Sequence, residues 1–165
     1  MKLNTKIKSI DLIASKDKLY LNREGTFPIN YGNNLIDDNE QINFHSEIEL
    51  IEGRLCFSIA VNFKYQRNCG RCLTISNNDD KSSSSVTLNV NEENDYEINY
   101  EDEYYDLSPF ISEIIIEKMD INYICEQKCK GLCSVCGINL NKFSCNHEEK
   151  NSKESPFSSL SQLDL

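Results

Sequence analysis

Seven cysteines and one histidine in this chain fall into a pattern that few chemistries use. Cys69-Gly-Arg-Cys72 forms one pair, Cys125 and Cys129 stand four apart, and Cys133-Ser-Val-Cys136-Gly is followed by Cys145-Asn-His147. A Cys-x-x-Cys turn offers both thiolates to one ion because the intervening backbone N–H groups point at the sulfurs. Zinc accepts thiolate and imidazole alike in closed four-coordinate sites. Eight donors make two such sites. A disulfide has no use for His147, which favours metal. Gly137, just past Cys136, supplies the permissive backbone such a turn needs, and Gly70 is placed to do similar work in the first pair.

Spacing leaves the partition of ligands open. The preferred division puts Cys133, Cys136, Cys145 and His147 in a local site and Cys69, Cys72, Cys125 and Cys129 in a longer-range one. A crossed arrangement joins the two Cys-x-x-Cys pairs on a single ion. With no free histidine or glutamate beside the knuckles to act as general base, Zn2+ here holds a fold together and catalyses nothing. A thiol oxidoreductase is the competing chemistry, yet neither pair sits at the strand-to-helix junction of a thioredoxin-like unit. An iron–sulfur cluster also fits the cysteine count, less well with His147 and the paired knuckles. Cys56 reads as a packed bystander and His45 as a surface residue.

A chain of 165 residues and 19.0 kDa has room for one modest core. We expect one domain over residues 1–148 and a polar tail over 149–165 that ends in Phe157, Leu160 and Leu163. The net charge of -10 and pI near 4.7 argue against binding bare nucleic acid by charge alone, which weakens a zinc-ribbon module of transcription or general nucleic-acid binding as an alternative. No apolar run is long enough for a signal segment or a membrane span, so a cytoplasmic protein with reduced thiols is expected. In that compartment eight cysteines point to metal or redox chemistry rather than disulfides.

The elements that position the ligands are legible in part. In "RLCFSIAVNFKYQ", residues 54–66, Leu55, Phe57, Ile59, Val61, Phe63 and Tyr65 alternate with small or polar residues, which predicts a long strand with one buried face. "INFHSEIEL" before it alternates likewise, and the Gly53 between them predicts a hairpin. "SVTLNV" reads as a further strand, preceded by a polar loop at "SNNDDKSSSS". The acidic run 91–107 reads as a solvated loop or edge strand, or a dock for a basic partner. "SPFISEIIIEKM" predicts a helix with Ser108 as N-cap and Pro109 at the first helical position. The fold class expected is α+β: an antiparallel, curved sheet or partial barrel, one main helix and a zinc-knuckle C-terminal segment.

These residues resemble the YceD family, the large ribosomal RNA subunit accumulation proteins of bacteria and plastids. "NCGRCL" is similar to the family's Cys-x-Arg-Cys-Leu, and "YDLSPFISEIIIEKM" to its acidic lead-in and apolar helix. "CEQKCKGLCSVCGINLN" matches its Cys-rich segment almost letter for letter, and "SPFSSLSQL" is like its ending. His147 stands where the family usually has a last cysteine, and "EKMDINYIC" lacks a proline common there. The resemblance implies a non-catalytic factor for synthesis, processing or accumulation of large-subunit ribosomal RNA. Its implied partners are a large-subunit precursor, through a basic ribosomal protein or the rRNA itself, with no membrane and no small-molecule substrate. Lys64, Arg67, Arg71, Lys128, Lys130 and Lys142 gather in sequence around the ligands and are candidates for RNA or partner contact, with Tyr65 and Phe143 available for stacking. Alternatively, Arg71 bonds the knuckle and the lysines are ordinary surface.

Overall fold

The computed structural model describes residues 1–14, 18–98 and 101–147. The expected tail at 149–165, with Phe157, Leu160 and Leu163, lies outside the described residues. Among the described residues eight strands and two helices follow the order β1 (Lys6–Lys8), α1 (Ser9–Ala14), β2 (Leu19–Thr26), β3 (Ile29–Tyr31), β4 (Asn34–Ile36), β5 (Gln41–Ile51), β6 (Arg54–Asn68), β7 (Ile75–Asn89), β8 (Tyr104–Asp106) and α2 (Ser108–Lys118). Every named strand pairing is antiparallel. The α+β expectation holds, with α2 as its main helix. No helix among the described residues is long and apolar enough to cross a membrane.

The long alternating run becomes β6, the spine of the sheet. Its odd positions from Leu55 to Tyr65 are buried, as the period of two requires. The β5–β6 hairpin turns on Glu52 and Gly53, both at positive φ (48° and 77°), the geometry of a two-residue turn matched to strand twist. A side chain on Gly53 would also drive its Cβ to 2.0 Å from Asn91 Nδ2. β7 holds one edge of β6 along its whole length, while β5 and β4 divide the other edge end to end. That division corrects the expected curvature and partial closure. The length of β6 serves two partners laid in line, and the sheet stays open and uncurled.

β7 is a second correction. The polar stretch "SNNDDKSSSS" is strand and not loop, continuous from Ile75 to Asn89 and alternating half-buried with exposed. Serine, asparagine and aspartate are poor strand formers in isolation, but the free edge of β6 demands partners for its backbone groups, and tertiary pairing overrides propensity. The side chains then find local bonds: Ser58 and Ser85 hydroxyls are 2.7 Å apart, and Tyr65 donates to Asp80 Oδ2 at 3.1 Å.

The inner sheet face, α2 and the β1–β8 ladder share one core, with Phe57 meeting Phe110 edge to face at 4.3 Å and Tyr96 stacked on Phe110 at 3.7 Å. Part of the acidic run is a solvated turn ordered by Asn94, whose Oδ1 accepts from the N–H groups of Tyr96 and Ile98, and its end is edge strand β8. The N-cap assignment needs correction: Ser108 is the first helical residue. Asp106 accepts its N–H at 2.9 Å and the Thr5 hydroxyl at 2.7 Å. Burial pushes the Asp106 carboxyl up, but those two bonds, with the Ser108 hydroxyl and the Lys6 charge, outweigh it and hold it below the usual aspartate value. Asp106→Ala is expected to cost about 1 kcal/mol at neutral pH. Because the folded-state pKa is the lower one, this contribution is present above the ordinary aspartate pKa and fades as pH falls through the depressed value. Urea midpoints of both proteins against pH, followed by circular dichroism, check the size and the direction.

Candidate metal centre

The first Cys-x-x-Cys pair is the turn between the two longest strands. Asn68 and Ile75 form the last rung of the β6–β7 ladder, and the six residues between them carry Cys69 and Cys72. Cys69 N–H donates to Thr74 O, Leu73 N–H to Cys69 O, and Arg71 N–H to Cys69 Sγ at 3.4 Å. The second knuckle repeats all three bonds: Cys133 N–H to Ile138 O, Gly137 N–H to Cys133 O, and Val135 N–H to Cys133 Sγ at 3.4 Å. The two knuckles are thus the same local structure. Each needs a left-handed residue after its second cysteine, filled by Gly137 (φ 72°) in one and by Leu73 (φ 56°) in the other. Gly70 does not do this work. Its φ is not left-handed, and a Cβ there meets Asn33 Nδ2 and Tyr123 O at an ordinary 3.6 Å.

The remaining ligands of the first set arrive from beyond α2. Buried Asn34 donates to Asp120 O at 3.1 Å, and Gly70 N–H donates to Tyr123 O at 2.9 Å. The Arg67 guanidinium lies 3.8 Å over the Tyr123 ring, and the Ser76 hydroxyl donates to Tyr123 Oη at 3.4 Å. These contacts clamp the segment after the helix against the knuckle and deliver Cys125.

The result is two groups, each with its ligand atoms within 4.8 Å of one another: Cys69, Cys72, Cys125 and Cys129, and Cys133, Cys136, Cys145 and His147. The geometry brings together the preferred partition and not the crossed one. In the first group Cys69 Sγ is 3.8 Å from Cys129 Sγ, and Cys72 Sγ is 3.6 Å from Cys125 Sγ. Zinc–sulfur bonds of about 2.3 Å in a tetrahedron set their sulfurs roughly 3.8 Å apart, so the residues fit such an ion. Cys133 Sγ lies 3.9 Å from His147 Nδ1 in the second group. Cys69, Cys72 and Cys129 are buried and Cys125 is exposed, whereas the second group buries Cys133 alone.

Electrostatics sharpens the fit. Burial pushes the Cys69 thiol up, but the N–H groups of Cys125, Cys72 and Arg71 outweigh it and bring it to about 6. Cys72 is lowered, chiefly by the Thr74 hydroxyl. Cys125 is driven the other way, to about 12, by desolvation and then by the sulfurs of Cys129, Cys72 and Cys69. Cys133 falls to about 6 through the N–H groups of Cys136 and Val135. In each group some sulfurs ionise readily while a neighbour resists: Cys69 and Cys72 against Cys125 in the first, Cys133 against Cys145 in the second. A cation among them favours the charged form of each thiol it binds.

The candidate contact residues do not share one fate. Arg67 is committed to Tyr123, and Arg71, though exposed, donates from Nη1 to Cys129 O at 3.3 Å. Lys64 sits on the outer sheet face opposite Asp79 in the ladder. Lys128, Lys130 and Lys142 are exposed around the second half of the ligands. Tyr65 is buried with its hydroxyl on Asp80, which removes it as a stacking platform, whereas Phe143 is exposed. Cys56 faces out beside Thr87, and His45 is exposed. Sequence reading missed Tyr123, Thr74, Asn139 and Asn141. Only the last two left a trace, as an Asn-Leu-Asn directly after a knuckle.

The family model described as large ribosomal RNA subunit accumulation protein YceD matches residues 57–164. A protein of Arabidopsis thaliana, "Large ribosomal RNA subunit accumulation protein YCED homolog 1, chloroplastic", is 39% identical over 57 residues. That stretch is 33% of this chain and 18% of the relative, so the chain matches less than a fifth of that protein's length. No solved structure matches.

A methyl group added to Gly137 would meet nothing within 4 Å, so a side chain there is opposed by backbone conformation alone. Gly137→Ala is expected to cost about 1–2 kcal/mol, a loss of roughly 5- to 30-fold in divalent-ion affinity at the second group. Cobalt titration read at its thiolate absorption measures this, and an unchanged affinity at the second group would contradict it.

Proposed function

Because the chain belongs to the YceD family of large ribosomal RNA subunit accumulation proteins, we propose that it supports large-subunit ribosomal RNA by binding, on a scaffold closed by two structural Zn2+ ions. The observation that carries this is the pairing of a family match over residues 57–164 with two four-donor groups, the first with its sulfurs at tetrahedral spacing. In each group four protein donors lie within 4.8 Å of one another, and four protein ligands on a tetrahedral ion would leave it no open position for substrate. On this reading Cys69, Cys72, Cys125 and Cys129 hold one ion and Cys133, Cys136, Cys145 and His147 the other, and the protein is not an enzyme. Bound zinc would neutralise repulsion among thiolates and lock the C-terminal segment to the tip of the β6–β7 hairpin.

The proposed partner is a precursor of the large ribosomal subunit, met in the cytoplasm. Two surfaces support different parts of such a contact. Lys128, Lys130 and Lys142, with Phe143, are exposed on the ligand-bearing segment and suit phosphate and base contact. Glu92, Glu93, Asp95 and Glu97 lie exposed on the turn after β7 and suit a basic ribosomal protein.

Depleting the protein from its native cells is expected to lower large-subunit rRNA relative to small-subunit rRNA, measured by quantitative RNA electrophoresis. An unchanged ratio would remove the functional reading. Purified protein is expected to carry close to two zinc ions per chain by elemental analysis, falling to one when Cys69 and Cys72 are both replaced by serine.

A further inference from the structure

The Asn139-Leu140-Asn141 sequence lies inside the loop that the second ligand group closes, between Cys136 and Cys145, yet its side chains reach the first group. Asn141 Nδ2 donates to Cys129 Sγ at 3.2 Å, while its Oδ1 accepts the Lys130 N–H at 2.8 Å. Asn139 Nδ2 donates to Thr74 Oγ1 at 3.2 Å and Cys72 O at 3.4 Å. Thr74 Oγ1 in turn is 3.2 Å from Cys72 Sγ and donates to it once that sulfur is a thiolate. Asn139 Oδ1 accepts the Asn141 N–H at 2.9 Å, which fixes the two amides relative to each other. One asparagine therefore serves the Cys125–Cys129 half of the first group, and the other serves the Cys69–Cys72 half.

Both residues depend on the second knuckle for their position. Asn139 sits in an antiparallel bridge with Leu132, beside the Cys133-to-Ile138 bond, and Leu140 N–H donates to Gly131 O. Closing the loop from Cys133 to His147 on an ion removes conformational freedom from this returning segment. A donor held in place stabilises a neighbouring thiolate and orients it, and one that must first be ordered does so at an entropic cost.

We propose that Asn139 and Asn141 are positioning residues that couple the two ion sites, so that occupancy of the second group raises the affinity of the first. The coupling rests on the metal reading of both groups. It is reciprocal, as any equilibrium linkage must be, so filling the first group also tightens the second. The pair consequently fills and empties together, and a chelator acting on the exposed second group loosens the buried first one.

The test is cobalt titration of the full-length, metal-free, reduced chain, with four-sulfur and three-sulfur-one-nitrogen sites distinguished by their absorption. Emptying the second group with Cys136→Ser and Cys145→Ser is expected to weaken cobalt binding at the first by roughly ten- to hundredfold. Asn139→Ala with Asn141→Leu is expected to give a similar loss, and combining all four changes to add almost nothing further. In Asn141→Leu the cobalt–thiolate charge-transfer band of the first group should also move to lower energy, because its sulfur has lost a hydrogen bond. A purely structural role would not produce that shift. Should the double variants fail to fold, His147→Ala and Asn141→Ser pose the same comparison with smaller changes. If the unmodified chain binds two ions and opening the second group leaves the first unaltered, the coupling is wrong and the metal reading stands. If the unmodified chain shows no cobalt–thiolate absorption, both fall.

Discussion

The continuous ladder between β6 and β7 governs this molecule. Its rungs run without a break from Arg54 opposite Asn89 to Asn68 opposite Ile75, so the register has no slack anywhere along fifteen residues of each strand. A slip of one residue would turn the odd-numbered face of β6, from Leu55 to Tyr65, out of the core, at a cost no local gain could offset. The core thereby dictates where the hairpin ends, and it ends on Cys69 and Cys72. The placement of two sulfurs is inherited from apolar burial some distance away. The C-terminal segment then docks on that tip through Tyr123, Cys125, Cys129 and Asn139, with Asn34 of β4 holding Asp120 before it.

How much of this could be read beforehand depends on whether the physics was local. The buried face of β6, the hairpin at Gly53 and the second knuckle are each specified within a dozen residues, and all were legible. The grouping of ligands was legible as a preference, because a Cys-x-His pair close behind a Cys-x-x-Cys favours a local site. The strand character of "SNNDDKSSSS" was not, since nothing in those residues asks for a strand and the demand comes from the free edge of β6. The open sheet was missed for a related reason. Alternation reveals that β6 is long, but not that β5 and β4 share one of its edges. Gly70 misled by type: glycine beside cysteine suggests a turn requirement, whereas the strained position belongs to Leu73.

Arg71, Arg67 and Tyr65 show how a cluster in sequence dissolves in space. Each looked available for an external partner. Each is bonded instead to the apparatus that holds the knuckle or the sheet: the Cys129 carbonyl, the Tyr123 ring and Asp80. The cations left over are lysines, with long flexible stems and, among the described residues, no hydrogen bond or ion pair from the ammonium groups of Lys64, Lys128, Lys130 and Lys142 to the ligand segment. Arginine, planar and multiply donating, is the natural residue to brace a loop, while lysine keeps its charge in solvent. In this segment the division between the two follows that chemistry.

One separation along the chain carries a consequence for how the molecule comes into being. Cys72 and Cys125 touch across 53 residues, and between them lie the whole of β7, β8 and α2. A chain made from its N-terminus completes the sheet and presents the first knuckle long before the other two sulfurs exist. Two thiols at an exposed hairpin tip can hold an ion only weakly and in passing. The enclosed site forms only after Cys129 has emerged, and so reports that synthesis has passed that point. Its closure distinguishes a chain whose segment beyond α2 has docked from one that has only its sheet.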